Sequence, residues 1–156
     1  MSDVFSQAKR SEVMARIRSR GNADTEVAFM KLLRAQGIKG WRRHLELSLE
    51  TAASSPTVKK KGRRRRVKPD FVFPAHKLAV FIDGCFWHSC PRHATEPKNN
   101  GTFWAAKLAV NRARDRYVTS ALRRRGWHVM RIWEHDVQRS NAVAERLRHY
   151  FSAVPE

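Results

Sequence analysis

Residues 68–93 read KPDFVFPAHKLAVFIDGCFWHSCPRH, and this stretch decides the fold. A short apolar strand is predicted at residues 71–73, and a second, fully apolar strand at residues 78–82. The turn between them is so short that the two strands are predicted to form an antiparallel hairpin. The hairpin then brings Asp70, at the start of the first strand, beside Asp83, which follows the second.

Helical and strand patterns alternate outward from this hairpin. A helix is predicted to start at Asn22 and to close at Gly37, because an acidic first turn and a following glycine suit helix ends. The other elements are a strand within residues 40–50, a helix at 103–125, a strand at 127–133 and a helix at 140–151. The order α, β, β, β, α, β, α predicts an α/β fold with a central mixed sheet flanked by helices.

The 156 residues are predicted to form one domain, residues 22–156, preceded by a basic segment, residues 1–21, that is an arm or a short helix laid along a partner. Residues 51–67 contain the run KKKGRRRR and are predicted to be an inserted basic loop, because like charges at that density resist packing. The loop has three possible roles: nonspecific affinity for the partner, a shifted site preference, or a tether for another protein.

The charge balance indicates a polyanionic partner. Lys and Arg number 32 against 14 Asp and Glu, a formal net charge of +18, and cationic surfaces gain affinity for phosphates by releasing counterions. Neither a spanning helix nor a signal-peptide core is visible, so we expect no membrane partner and a soluble, cytoplasmic, nucleoid-associated protein. The chain has only two cysteines, which favours metal binding over a disulfide framework.

Paired acids at the hairpin end predict a catalytic cation site. Asp70 and Asp83 can share a magnesium ion, with a backbone carbonyl as the alternative to Asp83. Pro-Asp followed by a second acid after an apolar strand is the core of the PD…(D/E)xK motif, which predicts a restriction-endonuclease-like nuclease fold. The usual lysine is replaced by Cys85. The alternative is an aspartate that only caps a turn.

His88 is the candidate that replaces this lysine, because an imidazole can accept a proton from water near neutral pH. A solvated or core histidine is the alternative. Asp115 and Glu26 lie on predicted helices that can face the site, where either can orient His88 or hold a cation-bound water.

A second metal signal follows the hairpin. Cys85, Cys90 and His93 supply three ligands of a tetrahedral zinc site. His135 is the predicted fourth, since the strand before it can run beside the hairpin. The predicted zinc is structural and braces the loop between the cysteines. Two unrelated buried cysteines are the alternative.

Aromatic residues in that loop predict a wedge between DNA bases. Phe86 and Trp87 are adjacent, and Trp104 begins the long helix near them. Apolar side chains inserted between base pairs unstack DNA, whereas core packing is the ordinary explanation of such pairs. Lys107 and Asn111 lie one and two turns along the same helix, where they suit contacts to a base pair or a phosphate.

Several segments resemble the very short patch repair (Vsr) endonucleases. The matching stretches are RSEVMARIRSRGNADTE (10–26), KPDFVFP (68–74), VFIDGCFWHSCPRH (80–93), FW (103–104), NRARD (111–115) and GWHVMRIWEHD (126–136). The resemblance implies a magnesium-dependent enzyme that nicks double-stranded DNA 5′ to the thymine of a T·G mismatch. It also implies a restriction-endonuclease-like fold with a structural zinc.

The resemblance also implies roles for individual residues. Asp70 matches the essential metal-binding aspartate, His88 the catalytic histidine, and Glu26 and Asp115 supporting acids, while Asp83 falls where family members vary between acid and histidine. The implied zinc ligands are Cys85, Cys90, His93 and His135. The implied DNA contacts are Met14, Lys68, Phe86, Trp87, Trp104, Lys107 and Asn111.

Two other functions stay open at this point. One is a nuclease of the same fold triggered by a modified base or a restriction-type site; the other is a zinc-stapled DNA-binding module without catalysis. The expected partner is double-stranded DNA with a T·G mismatch, with mismatch-repair or methyltransferase-linked proteins as further candidates. The chain is expected to be a monomer.

Overall fold

The computed structural model describes residues 7–50, 65–93 and 100–153. Within these residues a four-stranded mixed sheet is flanked by helices, and a two-stranded sheet stands beside it. In chain order the elements are α1 (Gln7–Ala35), β1 (Arg42–Arg43), β2 (Leu47–Ser48), β3 (Arg66–Val67), β4 (Phe71–Phe73), β5 (Leu78–Asp83), α2 (Gly101–Arg124), β6 (His128–Trp133), α3 (Glu134–Gln138) and α4 (Ser140–Ala153).

The predicted hairpin is confirmed. Strands β4 and β5 pair antiparallel, with Phe71 opposite Val80 and Phe73 opposite Leu78. Strand β6 joins the other edge of β5 in parallel, after the crossover through α2, so the sheet order is β1-β4-β5-β6. The predicted central mixed sheet is therefore present, and the ends of β5 and β6 lie side by side.

Helix α1 corrects the prediction for the N-terminal region. The helix runs without interruption from Gln7, so the predicted start at Asn22 is wrong. The residues before position 20 are mostly good helix formers, and the weak propensity of Gly21, about 1 kcal/mol, is absorbed by a helix of 29 residues. The predicted end is right: Gly37 has φ +67°, and the amide of Ile38 bonds back to Leu33.

The predicted basic loop is too long at its C-terminal end. Arg66 and Val67, which the charge pattern assigns to the loop, form β3 and pair with β2. The guanidinium of Arg66 forms an ion pair with Glu46, so the repulsion expected there is compensated. Residues 51–64 lie outside the described part of the chain.

Two apolar clusters cover the two faces of the sheet. One joins Phe29 and Leu33 of α1 to Phe71 and Val80, with α4 completing it. The other packs α2 on the opposite face; its buried members are Leu47, Leu49, Val72, Ala79, Val118, Ala121, Leu122 and Val129. Successive residues of a strand point alternately to the two clusters. The position of a polar residue at a strand end therefore determines the face of the sheet on which its side chain lies.

The single strand predicted within residues 40–50 is wrong: β1 and β2 are two short strands in different sheets, because His44, with φ +51°, interrupts the extended backbone between them. The predicted helices at 103–125 and 140–151 and the strand at 127–133 correspond to α2, α4 and β6, whereas the short helix α3 after β6 was not indicated by the sequence pattern. None of the helices in the described residues is long and apolar enough to cross a membrane.

Candidate active site

A cavity of about 750 Å³ opens beside α2, where β4 begins and β5 ends. Its polar lining comes from five segments that are far apart in sequence. The charged and hydrogen-bonding residues that line it include Lys68, Asp70, Asp83, His88, Lys107, Asn111, Asp115 and Arg131. The fold thus brings together most of the residues predicted for catalysis, and it adds Arg131.

Asp70 lies at the base of the cavity, directly before β4. Its Oδ2 accepts a hydrogen bond from the Ile82 amide at 2.6 Å, which fixes the carboxylate against the neighbouring strand. Burial raises the pKa of Asp70 to about 6, and the nearby charge of Glu26 acts in the same direction. Negative charge is therefore unfavourable at this position unless a cation balances it.

Glu26 reaches the same region from α1. It is 6% exposed and forms an ion pair with Arg43, and its Oε2 lies 3.0 Å from Nε2 of His44. One ligand atom each from Glu26, His44 and Asp70 lie within 4.8 Å of one another, which fits a hard cation with oxygen ligands and one imidazole. His44 was not predicted; only its position after a strand paired with β4 would have indicated it.

His88 and Asp115 form a hydrogen-bonded pair on the wall of the cavity. His88 follows a tight turn in which its amide bonds to the Gly84 carbonyl, and its Nδ1 lies 2.5 Å from Asp115 Oδ2 on α2. Burial alone would raise the pKa of Asp115, but the hydrogen bond with His88 and the charge of Arg131 lower it. An ionised Asp115 accepts the Nδ1–H and leaves Nε2 as the basic nitrogen.

Asp83 is placed differently from Asp70, although both line the cavity. Both of its oxygens accept hydrogen bonds from Arg131, at 2.6 and 2.7 Å. This bidentate pair neutralises the carboxylate and occupies the atoms that would bind a cation. Arg131 was not predicted, because its place beside Asp83 depends on the register in which β5 pairs with β6. The sequence feature that could have indicated it is a cation in a largely apolar strand.

The two cysteines and two histidines converge next to this cavity. Cys85, Cys90, His93 and His135 each place one ligand atom within 4.8 Å of the others. Cys85 Sγ lies 3.1 Å from Nδ1 of His135 and 4.0 Å from Nδ1 of His93, and Cys90 Sγ lies 3.7 and 3.8 Å from the same atoms. Ligands around a tetrahedral zinc are separated by roughly 3.3–3.8 Å, so the donor set fits that ion.

Two further features suit a metal at this cluster. Burial and the adjacent Cys90 raise the pKa of the Cys85 thiol to about 12, so the thiolate requires a strong positive partner. The other ring nitrogen of His135 lies 3.3 Å from Asp136, a carboxylate partner of the kind that orients metal-bound histidines.

Residues 2–93 match the family model described as DNA mismatch endonuclease Vsr. The chain belongs to the Vsr family. It is 32% identical over 156 residues to the DNA mismatch endonuclease Vsr of Escherichia coli (strain K12), covering 96% of this chain and 88% of that protein. It is 34% identical over 158 residues to the Type II nicking enzyme V.NmeAIP of Neisseria meningitidis serogroup A, covering 100% and 99%.

A shorter match of higher identity is the Type II nicking enzyme V.NaeI of Lentzea aerocolonigenes, which is 50% identical over 86 residues. The aligned part covers 54% of this chain and about half, 52%, of that enzyme. Membership of the Vsr family confirms the resemblance predicted from the sequence and makes the chain a DNA endonuclease of α/β fold.

The aromatic residues predicted to contact DNA form a cluster, and Trp87 of this cluster lines the cavity. Ring centroids of Phe86 and Trp87 are 5.1 Å apart, and Trp104 lies 5.4 Å from Phe86 and 6.1 Å from Trp87. All three are half-buried, and none belongs to either core cluster. The rings pack against one another, and their exposed parts leave aromatic surface for a ligand.

Three of the other predicted DNA contacts, Lys68, Lys107 and Asn111, line the same cavity as Trp87. Asn111 donates to the Trp87 carbonyl at 3.2 Å, and Lys107 is exposed one turn before it. Lys68 is exposed, with its ammonium 3.8 Å from Glu46. Met14 lies within α1, but its side chain is outside the described part of the structure.

Proposed function

We propose that this Vsr-family enzyme nicks double-stranded DNA 5′ to the thymine of a T·G mismatch in a magnesium-dependent reaction. The observation that carries the proposal is the His88–Asp115 pair, which opens on the same cavity as the buried carboxylate of Asp70. A general base and a cation-binding acid facing one space are what phosphodiester hydrolysis requires. A DNA-binding module without catalysis would need neither group.

In this mechanism His88 takes the proton of the attacking water. Asp115 accepts the Nδ1–H, which orients the ring and leaves Nε2 toward the cavity. The same carboxylate then stabilises the imidazolium that forms. The exposed cations around the cavity, among them Lys68 and Lys107, position the phosphate backbone.

Asp70 and Glu26 are the proposed carboxylates for magnesium. A bound cation would supply stabilisation of the negative charge that develops on the phosphate and its leaving oxygen. Asp70 contributes a carboxylate fixed by the Ile82 amide, and Glu26 contributes a second within reach. Asp83 is left out of the proposed set because Arg131 occupies both of its oxygens.

The proposed zinc has a structural role. Cys85, Cys90, His93 and His135 would tie the loop that carries Phe86, Trp87 and His88 to the start of α3. Such a closed four-ligand site stabilises the fold without taking part in chemistry. It would hold His88 at the distance from α2 that the Asp115 hydrogen bond requires.

The aromatic cluster is the proposed source of mismatch selectivity. A mispaired step is easier to unstack than a matched one, so a wedge of Phe86, Trp87 and Trp104 would enter it at lower cost. Asn111 and Lys107 would then face the opened pair. Two of the relatives, V.NaeI and V.NmeAIP, are described as nicking enzymes, which agrees with cleavage of one strand.

The test is cleavage of end-labelled duplexes that differ only in a single T·G or T·A pair, with and without magnesium. We expect one nick, 5′ to the thymine of the T·G pair, and none without the cation. Asp70→Ala should bind the T·G duplex like the wild-type enzyme but leave it intact. Equal cutting of both duplexes would instead favour a nuclease with a restriction-type or modified-base trigger.

A further inference from the structure

Arg131 is a cation in a largely apolar strand, and each of its three guanidinium nitrogens has a partner. Its Nε and Nη2 donate to the two oxygens of Asp83, and Nη2 also lies 3.0 Å from Asp115 Oδ1. Its Nη1 donates to Thr119 at 3.4 Å, and the guanidinium packs over Phe81, 5.0 Å from the ring centroid. This planar fork is therefore fixed between two carboxylates of the cavity.

The two carboxylates that Arg131 joins lie on opposite sides of His88. Asp115 Oδ2 is 2.5 Å from Nδ1, and Asp83 Oδ1 is 3.8 Å from Nε2. Asp83 is only 5% exposed, so its oxygens must be satisfied by protein donors. Arg131 supplies those donors, and the His88 ring is the donor next in reach.

Asp83 therefore lies where it could block Nε2 of His88, the nitrogen proposed to act as the general base. If Asp83 accepted a hydrogen bond from Nε2, that nitrogen would carry a hydrogen and its lone pair would be lost to the attacking water. The base would then be present but unable to act.

We propose that Arg131 is a positioning residue for His88, acting through Asp83 and Asp115. By occupying both oxygens of Asp83 it keeps that carboxylate from Nε2. By bonding Asp115 Oδ1 it leaves Oδ2 aimed at Nδ1. This inference rests on the proposed role of His88, and it assigns Asp83 the role of arginine partner in place of magnesium ligand.

Second-site rescue separates this role from a purely structural ion pair. We expect Arg131→Met to slow single-turnover nicking about 10²-fold, the lower range for losing a general base, with duplex affinity unchanged. Asp83→Asn in the same chain removes the carboxylate that would capture Nε2. The double variant should therefore nick at least about tenfold faster than Arg131→Met alone.

Two further variants complete the design. Arg131→Lys keeps the charge but satisfies fewer oxygens, so its rate should fall between those of the wild type and Arg131→Met. Arg34→Met removes an exposed cation of α1 that does not line the cavity and should nick like the wild type. If Arg131→Met does not fold, Arg131→Lys with and without Asp83→Asn provides the same comparison.

A spectroscopic readout tests the hydrogen bonding directly. In ¹⁵N-histidine-labelled protein at one fixed pH, the His88 signal should show hydrogen on Nδ1 and a free Nε2. Arg131→Met should show Nε2 in a hydrogen bond with Asp83, and Asp83→Asn should remove that bond. The His88→Ala spectrum assigns the signal.

The proposed roles of His88, Arg131 and Asp83 can be refuted separately. If His88→Ala still nicks, the proposed catalytic role of His88 is wrong. If His88→Ala is inactive while Arg131→Met nicks at the wild-type rate, or while the double variant stays as slow as Arg131→Met, the role of Arg131 is wrong and that of His88 stands. A rise in the magnesium concentration needed by Asp83→Asn alone would overturn the role assigned to Asp83.

Discussion

At the scale of single residues, Asp70 combines burial with a negative charge. Its folded pKa of about 6 exceeds the ordinary 3.8, so the folded protein binds the proton more tightly than the unfolded chain. The stability that this contributes is present at low pH and is lost as the pH rises through about 6. Above that pH the ionised carboxylate costs about 3 kcal/mol until a cation balances it.

Asp70→Asn should therefore abolish nicking and yet stabilise the fold. In buffer without magnesium we expect a higher Tm than that of the wild type at pH 7.5, with the gain shrinking below pH 5. Added magnesium should raise the Tm of the wild type and leave that of the variant unchanged, because ligands stabilise only the state they bind. Equal Tm values for the two proteins at pH 7.5 would contradict the burial argument.

The Asp115–His88 pair makes a separate prediction at the same scale. Asp115→Asn should lower the nicking rate at least about 10²-fold with little change in duplex affinity, because an amide does not hold the Nδ1–H tautomer or stabilise the imidazolium. Asp24→Asn, an exposed acid on α1, is the matched control. Single-turnover rates and duplex binding, measured together, separate a defect in chemistry from a defect in binding.

At the scale of elements, the loop between β5 and α2 is predicted to depend on the metal cluster. Cys90→Ser should reduce bound zinc from about one per chain, lower the Tm and lower the nicking rate together, since the loop that carries His88 loses its brace. Ser89→Ala changes the adjacent side chain and should keep the metal. Active wild-type protein that contains no zinc by metal analysis would rule out the structural role.

Loss of an aromatic side chain from the cluster should change substrate preference, whereas loss of the zinc site should change stability and rate. Trp87→Ala should reduce the preference for T·G over T·A duplexes while the fold and zinc content stay intact, because the ring reads how easily a step unstacks. Tyr117→Ala removes an exposed aromatic ring from the same helix as Trp104 and should keep the preference. If Trp87→Ala weakens both duplexes equally, the cluster is packing and the proposed wedge is wrong.

The elements also show which features the sequence alone could indicate. The β4–β5 hairpin was predictable because its apolar strands and short turn are local. The uninterrupted α1 was not, because the weak helix propensity of Gly21 indicates a boundary that a long helix in fact tolerates. The Arg131–Asp83 pair joins residues 48 positions apart and exists only in the parallel register of β5 and β6.

At the scale of the whole molecule, the net charge of +18 predicts strong, salt-dependent binding to any duplex. The basic run contributes much of it, but its two ends are not equivalent. Arg66 lies in the two-stranded sheet and is paired with Glu46, and Arg65 is bonded to the neighbouring segment through its amide, which donates to Glu50. A test of the run should therefore spare them and change only the cations between residues 59 and 64.

Replacing Lys59, Lys60, Lys61, Arg63 and Arg64 with glutamine should weaken binding to T·G and T·A duplexes alike. The slope of log affinity against log salt should flatten by about 0.9 for each phosphate that the variant no longer neutralises, since counterion release carries no sequence information. The ratio of the two affinities should stay at the wild-type value, in contrast to Trp87→Ala. Measuring both duplexes at several salt concentrations decides the matter: a changed ratio with an unchanged slope would mean that the run contributes to site preference and not to general affinity.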